Sequence, residues 1–391
     1  MDISFEPVIP IAKPKSLTPH ILISYNKEVM TLRRFLKKGS KIRMEETNSF
    51  SMPEFTGTDH TDRGLNVIEF INKEKGEVIA CTRHQFFRYN IKTESTMQKP
   101  HKHNFGIICQ VKTWGDFIIY FHEDSSVKFL HKKGTHISYR TSEPFRGDYC
   151  GGYHAYSRGA EVVGDYLIFI ACKNNLILYD LKKTLRIEEN PKGKVVDFLG
   201  GKDVHESDSL YMKTVTGTTL VTGEAETFFV KDNKIFYGNQ EGGIYEILES
   251  INSNPRPNAQ KKKIAEFDRQ LTCINYFHGN VVACSFQVSA QTAKIHLHNL
   301  KTKMQSELPV KVQKKPTHKV DMFVKQKMCF GIALNRGMDM HVFGIFWCRL
   351  FMFSESVQVA AEYISGMIFL DQETVLVYGA ENYNKKFKIK M

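Results

Sequence analysis

A polar turn that opens a short apolar, β-branched or aromatic run recurs seven times along the chain. The runs are Val78–Cys81 after Gly76-Glu77, Phe117–Phe121 after Gly115-Asp116, Tyr166–Ile170 after Gly164-Asp165, Lys234–Tyr237 after Asp232-Asn233 and Val281–Cys284 after Gly279-Asn280. Two more, Met328–Ile332 and Thr374–Tyr378, follow Gln326-Lys327 and Asp371-Gln372. Each has the length and residue types of a buried strand entered from a turn, so the pattern predicts an all-β protein made of repeated strand pairs. The first turn residues are spaced 39, 49, 68, 47, 47 and 45 apart, close to the ~40–50 residues of a four-stranded repeat. The interval of 68 contains residues 191–226, rich in Gly, Lys, Asp, Ser and Thr, which predicts an inserted loop region.

A second strand follows each run, and its end carries a more specific signal. Tyr89-Asn90-Ile91-Lys92, Tyr179-Asp180-Leu181-Lys182 and His298-Asn299-Leu300-Lys301 share the order aromatic, Asp or Asn, Ile or Leu, Lys, and Tyr245-Glu246-Ile247 is a looser fourth copy. Cys81 to Thr93 and Cys172 to Thr184 are both 12 residues apart, while Cys284 to Thr302 is 18 apart, consistent with a six-residue hairpin insertion. On these residues the chain resembles the WD40-like β-propeller superfamily, in which the third strand of a blade ends in Trp-Asp. No Gly-His and no true Trp-Asp dipeptide is present, so the family's usual hydrogen-bond network does not carry over.

The resemblance implies a single propeller over residues 20–391, with seven blades of four antiparallel strands, preceded by a Pro-rich extended arm at 1–19. Eight blades or two packed β domains are the structural alternatives. Lys385–Lys390 reads as a third strand with nothing after it, so Ile21–Tyr25 or Val29–Leu32 is expected to supply its partner and close the ring, removing an exposed edge.

Charge and composition then narrow the function. The 54 Lys+Arg against 42 Asp+Glu give the 391-residue chain a formal charge of +12, a bias toward polyanionic partners. No apolar stretch approaches the ~18–20 residues of a membrane helix. The first 19 residues carry four prolines, Asp2 and Glu6, unlike a secretory or transit leader, so a cytoplasmic or nuclear chain without membrane insertion is expected. Eight cysteines stand singly with no CxxC pair and read as reduced core residues.

Catalytic signatures are missing: there is no HExxH, GxSxG, GxxxxGK[ST] or GxGxxG, and Gly200-Gly201-Lys202-Asp203 reads as a turn rather than a phosphate cradle. The strand pairs His101/His103 and His296/His298 could each face a metal, but no third ligand is recognisable. Leu32-Arg33-Arg34-Phe35 departs in order and position from the Phe-Arg-Arg-Gly motif that phosphoinositide-binding propellers carry late in the chain, and reads as a charged strand end. No enzyme, cofactor, metal or small-molecule substrate is therefore expected.

Three segments are candidate partner or polyanion sites. Arg146–Arg158 concentrates Tyr149, Tyr153, Tyr156 and Arg158 with Cys150 and His154, a mixture suited to stacking or partner contact. Lys261, Lys262 and Lys263 precede one blade, and Lys311, Lys314 and Lys315 occupy the equivalent connection one blade later, which predicts a positive arc of loops along one rim. The expected function is a non-catalytic propeller scaffold binding protein subunits of a larger intracellular assembly. The alternative is an RNA-binding propeller of a ribonucleoprotein that uses this basic rim.

Overall fold

The computed structural model describes residues 43–47, 64–65, 67–82, 85–102, 108–122, 126–131, 136–141, 159–171, 174–182, 187–189, 195–197, 214–215, 217–253, 255–268, 270–287, 292–310, 317–325, 328–335, 339–346, 349–352, 357–358, 364–371, 373–379 and 384–390. Among these residues nearly all regular structure is β-strand, with one 3-10 turn at Ile251–Ser253. No helix of the described residues is long and apolar enough to cross a membrane.

Strands pair in sequence order into successive antiparallel sheets. The first comprises Val67–Asn72, Glu77–Cys81, Gln85–Asn90 and Ser95–Lys102. The second comprises Ile108–Trp114, Phe117–His122, Ser126–His131 and His136–Thr141, with Thr214–Val215 added in parallel. The third is Ala160–Val163, Tyr166–Ile170, Leu176–Asp180 and Thr218–Val221, and the fourth Thr227–Lys231, Lys234–Gly238, Gly243–Ile247 and Lys261–Glu266. The fifth is Leu271–Phe277, Asn280–Gln287, Thr292–Asn299 and Gln305–Val310. Thr317–Lys325, Met328–Asn335, Asp339–Phe346 and Arg349–Met352 form the sixth, with Val357–Gln358 also on Asp339–Phe346. The seventh is Ile364–Phe369, Thr374–Gly379, Asn384–Lys390 and, from the other end of the chain, Arg43–Glu46. A separate hairpin pairs Ile187–Glu189 with Val195–Asp197.

Three expectations change. Uniform four-stranded blades, seven of them, are not found: five sheets have four strands and two have five, because short flanking segments add to edges that are left open. The strand paired with Asn384–Lys390 is Arg43–Glu46, in the register Arg43↔Lys390 to Glu46↔Phe387, and not Ile21–Tyr25 or Val29–Leu32, which lie outside the described residues. The expected insertion at 191–226 ends in the fourth strand of the third sheet, with Leu220 and Val221 buried, so its last ten residues belong to the fold.

Local chemistry explains why the turns and strand ends repeat. Asp232 and Asn233, and likewise His278 and Gly279, both have positive φ between strands joined by two residues. This is the left-handed geometry of a tight hairpin, tolerated by Gly, Asn and Asp. The Asx of the repeated motif closes the next turn: Asn90 Oδ1 accepts from the Lys92 and Thr93 N–H groups at 2.9 and 3.1 Å. Asn299 Oδ1 does the same for Lys301 and Thr302 at 3.1 and 2.8 Å. The following apolar residue donates its N–H across to the first turn of the same sheet, Ile91 to Gly76, Leu181 to Asp165 and Leu300 to Gly279, at 2.8–2.9 Å. The motif is thus a strand-end clasp, which explains its fixed offsets.

Among the described residues, the largest side chains that are almost fully buried are Tyr89, Tyr120, Tyr237, Phe87, Phe121, Phe169 and Phe387. All sit on the second or third strand of a sheet, where both faces are covered. Apolar clusters lie between successive sheets, as where Phe121 and Phe129 of the second meet Phe169 and Tyr179 of the third. Val78 and Tyr89 of the first sheet, with Leu65 just before it, likewise meet Leu376 and Tyr378 of the seventh.

Candidate interaction surface and buried polar clusters

Lys261, Lys262 and Lys263 do not form a loop. They begin the outer strand of the fourth sheet, paired as Ile247↔Lys261, Glu246↔Lys262 and Tyr245↔Lys263. A sheet edge accepts lysines because one side of the strand is solvated and the charge discourages edge-to-edge association. Two of the three are engaged locally. Lys261 Nζ lies 2.5 Å from Glu224 Oε2 and over the rings of Tyr237 and Tyr245, at 5.9 and 5.3 Å, while Lys263 Nζ is 2.6 Å from Glu266. The Glu266 carboxylate holds Lys263 above its ordinary value. Lys311, Lys314 and Lys315, and also Tyr149, Tyr153, Tyr156 and Arg158, lie outside the described residues, so no positive arc is assembled from the described set.

Where the first three sheets adjoin, an ion network joins their first strands. Lys112 Nζ is 3.3 Å from Glu69 Oε2 and 3.7 Å from Glu161 Oε2. Burial pushes this ammonium toward neutrality, but two carboxylates outweigh it and its pKa rises. Glu161 is itself pushed up by burial.

A second cluster ties the third sheet to the fourth. Glu226 is fully buried and accepts from Asn174 Nδ2 and Gln240 Nε2 at 2.8 and 2.5 Å. The Asn175 side chain accepts from the Gly223 N–H at 2.8 Å. These bonds anchor the end of the segment that the sequence marks as an insertion.

The fifth sheet holds the most chemically suggestive arrangement. Ser285 Oγ is 2.5 Å from His296 Nε2, and His296 Nδ1 is 3.2 Å from Glu307 Oε1, the order of nucleophile, base and acid in a hydrolase. Ser285 and His296 are both 0% exposed, so the serine faces no space in which a substrate carbonyl could approach it. Burial lowers the His296 pKa to about 4. The exposed large apolar side chains among the described residues are Met97 on the fourth strand of the first sheet, Leu248 just after a strand of the fourth and Met304 just before a strand of the fifth.

Known proteins match this chain by shape. No protein-family model matches it, and no curated protein sequence does. A chain in the crystal structure of the mitotic checkpoint complex aligns with a TM-score of 0.58 at 9% identity, covering 100% of this chain and 98% of that one. The β-propeller domain of Myceliophteria thermophila Cps50 (Swd1) aligns at 0.53 and 10% identity, covering 89% of this chain and 100% of the domain. Kluyveromyces lactis Hsv2 aligns at 0.52 and 11% identity, covering 83% and 92%. The chain has a β-propeller fold.

In the propeller frame the five four-stranded sheets are blades, and the first strands of successive sheets pack on one another. The repeated Asx motif therefore marks the third strand of a blade, where the WD40-like resemblance puts Trp-Asp. Histidine pairing on a strand was visible in the sequence, but the partners of His296 were not: Glu307 sits on the next strand and Asp268 in the link from the fourth blade. Only the fold brings these positions together.

Proposed function

We propose that this propeller is a non-catalytic scaffold that binds protein subunits of a larger assembly in the cytoplasm or nucleus. The observation that carries the reading is the fold itself: blades packed on one another place their connections on two rims, broad surfaces suited to protein partners. One of the solved chains that it resembles comes from the structure of a multiprotein complex. The engagement of Lys261 and Lys263 with Glu224 and Glu266 weakens the case for a polyanion rim. In this reading the pairing of Arg43–Glu46 with the last blade closes the ring, and Tyr149, Tyr153, Tyr156 and Arg158 contact partners.

Binding to single-stranded RNA across a range of salt concentrations tests the reading. The expected result is weak association that Lys261→Glu, Lys262→Glu and Lys263→Glu together leave little changed. Tight binding whose dependence on log salt becomes shallower in the triple variant would overturn it in favour of an RNA-binding rim, since fewer counterions are then released.

A further inference from the structure

Around His296 the fifth blade assembles a set of groups that the scaffold reading leaves unused. Asp268, His296 and Glu307 offer three ligand atoms lying within 4.8 Å of one another. Ligands at 2.0–2.2 Å from a tetrahedral zinc stand about 3.4 Å apart, so small side-chain rotations would bring these three into range. The two carboxylates are partly exposed, at 61% and 41% of their side chains, and give an ion an entry path, while the imidazole lies behind them.

Two further observations mark the position as one made for a cation. The Lys294 ammonium already sits between the acids, 2.7 Å from Glu307 Oε2 and 3.6 Å from Asp268 Oδ2. His296 Nδ1 is buried, faces Glu307 and makes no hydrogen bond. In the tautomer whose ring proton sits on Nε2 and is donated to Ser285 Oγ, 2.5 Å away, Nδ1 turns a lone pair toward the carboxylates. That contact is repulsive unless a cation lies between. A metal-binding histidine is commonly held through its other ring nitrogen by a hydrogen bond, the part Ser285 plays for this ring in that tautomer. Phe267 stacks on the ring at 4.3 Å between ring centroids, which fixes its orientation.

We propose that Asp268, His296 Nδ1 and Glu307 form a site for a divalent cation of the zinc class, for which the Lys294 ammonium competes. Its effect is mechanical: the ion pins the link from the fourth blade, through Asp268, to the outer strand of the fifth, through Glu307. One nitrogen and two oxygen donors suit Zn2+ and Co2+ and disfavour Mg2+, which binds through oxygen and gives up its water reluctantly.

The test is titration of the full chain with Co2+, followed by its visible absorption and by the shift in melting temperature. One ion should bind with a low-coordinate spectrum and raise the melting temperature, and excess Mg2+ should not displace it. Glu307→Gln and Asp268→Asn alter partly exposed groups, so both variants should fold, and each should weaken binding more than about tenfold, a loss that substitutions outside the ligand shell already bring. Lys294→Met should tighten binding about fivefold by removing the competing ammonium. Co2+ binding that is unchanged in both carboxylate variants, or no binding by the Lys294→Met chain, would overturn the assignment and leave Lys294 as the permanent counter-ion of the two acids.

Discussion

Phe169→Ala is expected to lower the free energy of unfolding by about 3–5 kcal/mol. Phe169 is fully buried on the second strand of the third sheet. It stacks on Tyr179 at 5.5 Å with the ring planes 4° apart, and meets Phe121 of the second sheet edge-on at 6.2 Å. Removing it opens a cavity where two sheets meet. The neighbouring backbone is locked in ladders on both sides, Phe169 pairing with Ala160 and Ile177, so the site has little freedom to collapse. Urea titration checks the figure, and a loss under about 1 kcal/mol would mean that the second and third sheets are not packed through this ring.

Loss of Arg43–Glu46 should have an effect of similar size. The strand pairs with Lys390 to Phe387, and the Thr47 N–H donates to the Lys386 carbonyl at 2.9 Å. Lys385 adds a 2.7 Å ion pair to Glu46. At about 1 kcal/mol net per hydrogen bond, four or five bonds amount to about 3–5 kcal/mol, and their removal bares the edge of Asn384–Lys390 to other chains. A chain that begins at residue 48 should therefore melt well below one that begins at residue 43, and aggregate sooner on heating. Equal melting temperatures would show that the last blade does not depend on this strand.

These two sites differ in how far the sequence disclosed them. The run Tyr166–Ile170 after Gly164-Asp165 is apolar, turn-opened and repeated elsewhere, so period and punctuation both declare a buried strand. Arg43-Met44-Glu45-Glu46 has one apolar residue in four. It is held by backbone pairing at an edge, a contribution that leaves no hydrophobic trace, and the more apolar Ile21–Tyr25 drew the expectation away from it. The same cause moved Lys261–Lys263 from loop to strand: three lysines in a row look solvated, and an outer strand is. Thr218–Val221 was lost among the Gly- and Thr-rich residues around it, although Leu220 is 1% exposed.

Distance along the chain set the other limit. The Asx clasp spans two or three residues and repeats, so its spacing could be read directly, although its role in closing turns needed the hydrogen bonds to be seen. Asp268, His296 and Glu307 lie on a blade link and two adjacent strands, and only the cross-strand register His296↔Glu307 makes neighbours of the last two. The ion network of Glu69, Lys112 and Glu161 spans three sheets and has no linear signature at all.

The central claim, that this propeller works by holding protein partners, is tested most directly by purifying the tagged full-length chain from its source under mild salt, with and without nuclease, and measuring the mass of what it elutes with. The account predicts a defined set of proteins in fixed proportion, in a particle much larger than the 45.0 kDa chain, with the same composition after nuclease. A chain that elutes alone, or whose companions disappear once nucleic acid is digested, would contradict it.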